Sequence, residues 1–395
     1  MKQLTYILTG AIFLMLDSFY NGFPIVYSDT STYLASGFEL ETPFDRPITY
    51  GLFLRIASLN GLSMWLVIFF QALILSYLIF LLAKAVLGDK HFLKYSLTII
   101  ATLSLFTSIS WTVCQVMPDI FTAIAFLCMT LLLLEKHTKK TQVLLYFIFF
   151  LSIAMHISHF LIFLLLLLIL FTLKRYIFPT KDFFNTKKHF ALLFILSAIS
   201  IVTMGSALSK SKHIFFMGAM VEHGIAKKYL DDQCENKNYK LCTYKDSLPS
   251  RAYEFVWDEK SPVYKIGSWK ESKKEFNEII YNTLTEPKYI KMHVVESAKA
   301  TFDQLTKFGI GEGNGSFLEG TLLHERISKY FSSDLKHYAC SKQSESKLSG
   351  LEKFNLISYF VVVLSILFIM IVFLSDEIFL PVRSKLFYLS SVLEY

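Results

Sequence analysis

Five residues have the types and positions to do chemistry together: Asp29, Arg46, Asp119, His156 and His159. Each interrupts or flanks a long apolar run. Ionisable groups at membrane depth are costly to keep, and their default reading is functional. Asp29, in YSDTSTYL, suits a general base that takes a proton from a hydroxyl. It also stands where Asp caps a helix, just before Thr-Ser-Thr. Arg46, in FDRPITYGLFL, offers planar donors that pair two phosphate oxygens at once. The alternative is an interfacial arginine paired with Asp45 or a lipid headgroup. Asp119, in QVMPDIFTAIAFL, follows Pro118 and suits the positive end of a helix. Its functional reading is a second acidic group facing the first across a cavity. His156 and His159 lie three apart, on one face if the break they occupy is helical. They suit hydrogen bonds to a phosphate or sugar hydroxyl, or ligation of a divalent metal as a cofactor. The plain alternative is buried, satisfied histidines. Asp17, inside the first apolar run, calls for a partner within a bundle.

The elements that must position these residues are apolar helices. Of 395 residues, 53% are hydrophobic and 18% charged, with mean hydropathy +0.46. A soluble domain carries about a quarter charged residues. Several runs of about 20 apolar residues, without the alternation of a barrel, predict an all-α polytopic membrane protein. The expected spans are 4–23, 63–83, 95–112, 117–134, 142–155, 157–173, 189–207 and 354–374. The break at Met155-His156-Ile157-Ser158-His159 divides one unbroken apolar stretch into two of these eight. Within the 24–62 loop, 29–39 and 47–59 read as short surface helices, broken at Pro43 and Pro47.

Orientation follows from basic loops. Lys84, Lys90 and Lys94 form one, Lys136, Lys139 and Lys140 a second, and Lys174, Arg175, Lys181, Lys187 and Lys188 a third. All become cytoplasmic together with Lys2. The five chemical residues and the hydrophilic segment 208–353 then share the opposite, extracytoplasmic side. That segment reads as one small domain, with helices separated at Glu286-Pro287. The module 1–207 precedes it. Residues 354–395 supply a last span and a short surface helix. The N-terminus lacks a small-x-small cleavage site and reads as a retained signal anchor. Cys114 and Cys128 read as packing residues, while Cys234 and Cys242 close a short loop suited to a disulfide in an oxidising space. The net charge of +7 reflects the basic loops, and no basic and aromatic stripe suggests nucleic acid. GIGEGNGSFLEG lacks the Lys-Ser/Thr end of a phosphate-binding loop, and no metalloprotease, hydrolase or kinase signature occurs.

Together, SDTSTYL after the first span, DRPITYGLFL, MPDIFTAI and AMHISHF resemble the GT-C superfamily of membrane glycosyltransferases. The likeness is to protein O-mannosyltransferases and the aminoarabinose transferases of lipid A, over residues 1–207. It implies a polyprenyl-phosphate sugar as donor and an extracytoplasmic acceptor (glycan, lipid or protein). It also implies a bacterial cytoplasmic (inner) membrane location. Asp29 would match the catalytic acidic residue of the first loop, and Asp119 the second acidic position. Arg46, His156, His159, Tyr33 and Tyr50 would bind substrate. Transfer would invert the anomeric centre. The chain departs from the family in having Thr30 after Asp29, where many members carry a second acid, and in lacking a WWDYG-like motif. The competing expectation is a non-catalytic membrane scaffold or envelope-assembly subunit. A transporter would favour repeated halves, which are absent. An acyltransferase built on one histidine would leave the other charged groups without a role.

Overall fold

A computed structural model describes residues 2–89, 92–177, 187–307, 309–311 and 315–374. Lys90, Lys181 and the expected surface helix in 376–395 lie outside the described residues. Among the described residues the regular structure is helical, with one isolated bridge between extended residues. The helices are α1 (Lys2–Phe13), α2 (Leu16–Asn21), α3 (Thr30–Glu39), α4 (Thr49–Ala57), α5 (Met64–Leu87), α6 (Phe92–Phe106) and α7 (Ile109–Cys114). They continue with α8 (Ile120–Leu134), α9 (Lys139–Ile153), α10 (His159–Ile177), α11 (Lys187–Glu222), α12 (Ile225–Gln233) and α13 (Ala252–Trp257). Next are α14 (Pro262–Lys265), α15 (Ser268–Glu271), α16 (Lys273–Thr285), α17 (Pro287–Leu305), α18 (Leu322–Tyr330), α19 (Leu335–Ala339) and α20 (Asn355–Leu374).

Two helical stretches among the described residues are long and apolar enough to cross a membrane: Met64–Leu87 and Leu348–Phe368. Shorter apolar helices cover Phe92–Phe106, Ile120–Leu133 and His159–Thr172. Two of the expected spans are not single helices. The first breaks between Phe13 and Leu16, and the third between Phe106 and Ile109. At the second break, Thr107 Oγ1 donates to the Leu103 carbonyl and accepts from the Ile109 amide, so its side chain stands in for the next helical turn. The break expected around His156 is present, between Ile153 and His159.

The chain divides into two compact units, with the boundaries at Met204/Gly205 and Lys307/Phe308. The hydrophilic segment 208–353 is therefore not one body. Its second part belongs with the apolar helices, because buried polar groups tie it there. Asp334, 6% exposed, accepts from the Met64 amide at 2.7 Å and from Ser63 Oγ. It satisfies the start of α5 from 270 residues away. Gln343, 1% exposed, brackets Val26, accepting its amide at 3.1 Å and donating to its carbonyl at 2.6 Å. Asp334→Ala would strand the α5 amide in a buried place. The expected cost is about 1–3 kcal/mol, read as a lower Tm, with Asp334→Asn recovering part of it.

The other unit is a helical body packed around Ile214, Met217, Leu230, Phe255, Phe276 and Ile279. Its helices α16 and α17 part at Glu286, which is extended, with Pro287 opening α17 where a missing amide costs nothing. Cys234 and Cys242 are joined by a disulfide, their Cα atoms 5.7 Å apart. Cys114 and Cys128 are free and buried, and Cys340 is free and exposed.

Candidate functional site

Two backbone stretches bring the acidic residues into one neighbourhood. The Ile25 amide donates to the Cys114 carbonyl at 2.9 Å, and the Val116 amide donates to the Ile25 carbonyl at 2.8 Å. Thr30 Oγ1 then donates to the Val116 carbonyl at 3.1 Å. Asp29 follows the first stretch and Asp119 the second. Gln71 of α5 locks the pairing from below. Its amide nitrogen donates to the Val113 and Gln115 carbonyls at 2.9 and 3.0 Å. Its oxygen accepts from Tyr50 Oη at 2.8 Å. A buried amide that meets three partners cannot shift without leaving some unpaired. Gln71 is not among the residues expected from the sequence; its signal there is a lone amide within FFQALIL. Gln343, in SKQSES, carries no such signal.

The expected surface helices α3 and α4 are instead packed together. Seven of the ten residues of α3 are buried, among them Tyr33 and Leu34. Small residues allow this. A Cβ on Gly37 would sit 2.1 Å from the Gly51 carbonyl oxygen, so the two backbones touch. Asp29 occupies the position before α3, yet its side chain makes no capping bond. It is turned to Arg46 instead, with Oδ2 2.9 Å from Nη1.

Arg46 is the centre of the cluster. It is 9% exposed, and its guanidinium carbon lies 5.1 Å from the centroid of the Tyr33 ring. Nε and Nη2 both donate to Asp45 Oδ2, at 2.8 and 2.5 Å. Nη1 is different. It is close to Asp29 by distance but off any hydrogen-bonding direction, and it is a buried nitrogen without an acceptor. The two carboxylates also differ. The Asp45 side chain is 8% exposed and the Asp29 side chain 48%.

Asp119 stands before α8, exposed, and its side chain makes no capping bond either. His156 lies in the turn between α9 and α10. Its Nδ1 accepts from the Ser158 amide at 3.3 Å and faces Ser158 Oγ at 2.8 Å. The neutral ring therefore carries its proton on Nε2. Burial holds the ring below the ordinary imidazole value, Asp119 pulls it up, Arg46 pushes it down, and Asp29 and Asp45 pull it up. Burial likewise raises the Tyr33 phenol; Arg46 opposes this, and Asp29, Asp119 and Asp45 add to it. The structure thus gathers Asp29, Asp45, Arg46, Asp119, Tyr33 and His156 within electrostatic reach of one another.

A depressed folded value for His156 carries a sign. Folding favours the neutral ring, so this stabilisation is present above the ordinary value of 6.5 and is lost as pH falls through the folded value. Tm should decline over that acidic window, and His156→Gln should flatten part of the decline. A slope that this change leaves unaltered would assign the acid sensitivity to the carboxylates.

Tyr50 and His159, expected to bind substrate, are committed to the core. Tyr50 is fully buried, its hydroxyl bonded to Gln71 and its ring edge-on to Tyr33 at 4.9 Å. His159 is 3% exposed, with Nε2 2.6 Å from Thr122 Oγ1 and Nδ1 donating to the Ser152 carbonyl at 2.9 Å. Both of its nitrogens are occupied, so it ties α8 to the turn that holds His156. Asp17 meets Ser110, whose Oγ accepts from the Asp17 amide at 3.1 Å. Among the described residues no group of three or more His, Cys, Asp or Glu is arranged to hold a metal ion. Comparison with protein-family models, with curated proteins and with solved structures finds no match to the chain.

Proposed function

We propose that the chain is a membrane-embedded glycosyltransferase of eight spans at a bacterial inner membrane. It moves a sugar from a polyprenyl-phosphate donor to a hydroxyl acceptor on the extracytoplasmic side. The observation that carries this reading is the half-open cluster in which one buried arginine, three carboxylates and a neutral imidazole act on one another. Arginine supplies what a phosphate leaving group needs: fixed positive charge and directed donors in a place that excludes water. His156 Nε2–H is a further donor for the same oxygens. Asp29, open on one side, takes the acceptor's proton.

The step balances without any further reactant. The acceptor oxygen bonds to the anomeric carbon as the bond from that carbon to the phosphate oxygen breaks. The electron pair leaves with the lipid phosphate, and the hydroxyl proton passes to the Asp29 carboxylate. One displacement from the face opposite the leaving group inverts the centre. Asp119 bears on the sugar between the two sides. Tyr50, Gln71 and His159 hold the elements that carry these groups.

The eight-span arrangement rests on the basic loops and on the exposed apolar side chains of α10 and α20. Leu161, Leu165 and Phe171 are 53–60% exposed, and Leu356 and Phe360 are 78% and 63% exposed. Lipid is the solvent in which such faces are stable. The test is to reconstitute the purified chain in liposomes containing its own cell's lipid extract and follow release of polyprenyl phosphate by mass spectrometry. Release that depends on the protein and on an added envelope fraction supports the reading. Intact lipid-linked sugar under every acceptor tried would leave a non-catalytic membrane protein as the better account.

A further inference from the structure

We infer that the Asp29–Arg46 contact is an exchangeable latch: a phosphate group takes Nη1 of Arg46 from Asp29, and that displacement frees Asp29 to act. The inference deepens the transferase reading and rests on it only for what Asp29 then does. The exchange itself is an anion-binding event.

The asymmetry between the two aspartates carries the argument. Asp45 is next to Arg46 in the chain, almost fully buried, and accepts from two of its nitrogens. It is the permanent counter-ion. Asp29 is half-exposed and reaches a single nitrogen at 2.9 Å, off the hydrogen-bonding direction. Charge-assisted bonds owe their strength to alignment as well as distance. Asp29 therefore holds Nη1 by charge alone and leaves its donor capacity unused. A phosphate oxygen placed in line would satisfy that buried nitrogen. It would also repel the carboxylate beside it, because the cluster already carries more negative than positive side chains.

The consequence is an order of events. While Asp29 is paired, its Oδ2 is turned to Nη1 of Arg46 and not to an acceptor hydroxyl. Once the donor phosphate is seated, Asp29 is an unpaired carboxylate on the open side of the cluster, facing the acceptor. The base is switched on by occupancy of the donor position, so the donor binds first. The ligand chemistry is a phosphate with at least two unesterified oxygens, whether from an isoprenyl phosphate headgroup or from free phosphate.

The experiment is a titration of farnesyl phosphate into the full chain in detergent, with farnesol and inorganic phosphate as separate arms. Asp29→Asn removes the competing charge and keeps the shape. It should bind farnesyl phosphate roughly tenfold more tightly than the unaltered chain. Arg46→Gln should abolish the gain, alone and combined with Asp29→Asn, and farnesol should bind all forms alike. If inorganic phosphate alone shows the same tightening, the exchange stands and its source is free phosphate. Equal or weaker farnesyl phosphate binding by Asp29→Asn overturns the latch, as does absence of binding by every form. Should Asp29→Asn fold poorly, Asp29→Ser serves, with the same expected direction. The two ideas fail separately. Tighter binding without sugar transfer removes the transferase and keeps the latch. Transfer without tighter binding removes the latch alone.

Discussion

Asp29→Asn is expected to lower sugar transfer by a factor of about 10²–10⁴, the usual contribution of a positioned proton acceptor. The protein should still fold. The Asp29 side chain is 48% exposed and makes no capping bond, so the amide leaves no buried acceptor unpaired. Its contact with Arg46 joins a half-exposed group to a guanidinium that Asp45 already holds. The measurement is transfer rate and Tm on the same preparations. A low rate at unchanged Tm, with donor binding retained, assigns Asp29 to the proton step. An unchanged rate removes it as the base and makes Asp119 the next residue to change. A parallel Asp119→Asn separates the two, since only the base should show loss of rate with acceptor binding intact.

Gly37→Ala should be the most damaging small change in the first loop. The added Cβ would lie 2.1 Å from the Gly51 carbonyl oxygen and 2.6 Å from its carbonyl carbon. Both are backbone atoms of α4, so no flexible side chain can yield. Overpacking of this kind costs about 3 kcal/mol. The loss should also reach the site. α3 carries Tyr33 beneath the Arg46 guanidinium, and Asp29 directly precedes it. Separating α3 from α4 would pull the 2.9 Å contact of Asp29 with Arg46 apart. Thermal unfolding and transfer should therefore fall together, unlike the Asp29→Asn case. A Gly37→Ala protein as stable as the original would mean that α3 and α4 do not touch through their backbones.

Much of the helical frame is readable from local signals. The apolar runs mark α5, α8, α9, α10 and α20, because a buried or lipid-facing helix needs an unbroken apolar stretch whatever its neighbours are. The polar turn around His156 and the Glu286-Pro287 step are likewise local: a short polar interruption and a missing amide stop a helix where they occur. The types of Asp29, Arg46, Asp119 and His156 mark a polar cluster for the same reason, since charge is expensive beside apolar helices.

Partnership was decided only in three dimensions. Asp29 reads as a cap from its neighbours, and the structure turns it to Arg46, because a guanidinium 17 positions on outbids a backbone amide once α3 and α4 are packed. Tyr50 and His159 have the chemistry of ligands, and the core claims their polar atoms through Gln71, Thr122 and Ser152. Thr107 breaks an apolar run that its sequence leaves whole. Asp334 and Gln343, in a stretch that reads as part of a separate hydrophilic domain, instead satisfy buried backbone groups near Met64 and Val26. Composition and periodicity act over a few residues and so specify elements. A buried hydrogen bond joins groups hundreds of positions apart, and only the folded chain determines which ones meet.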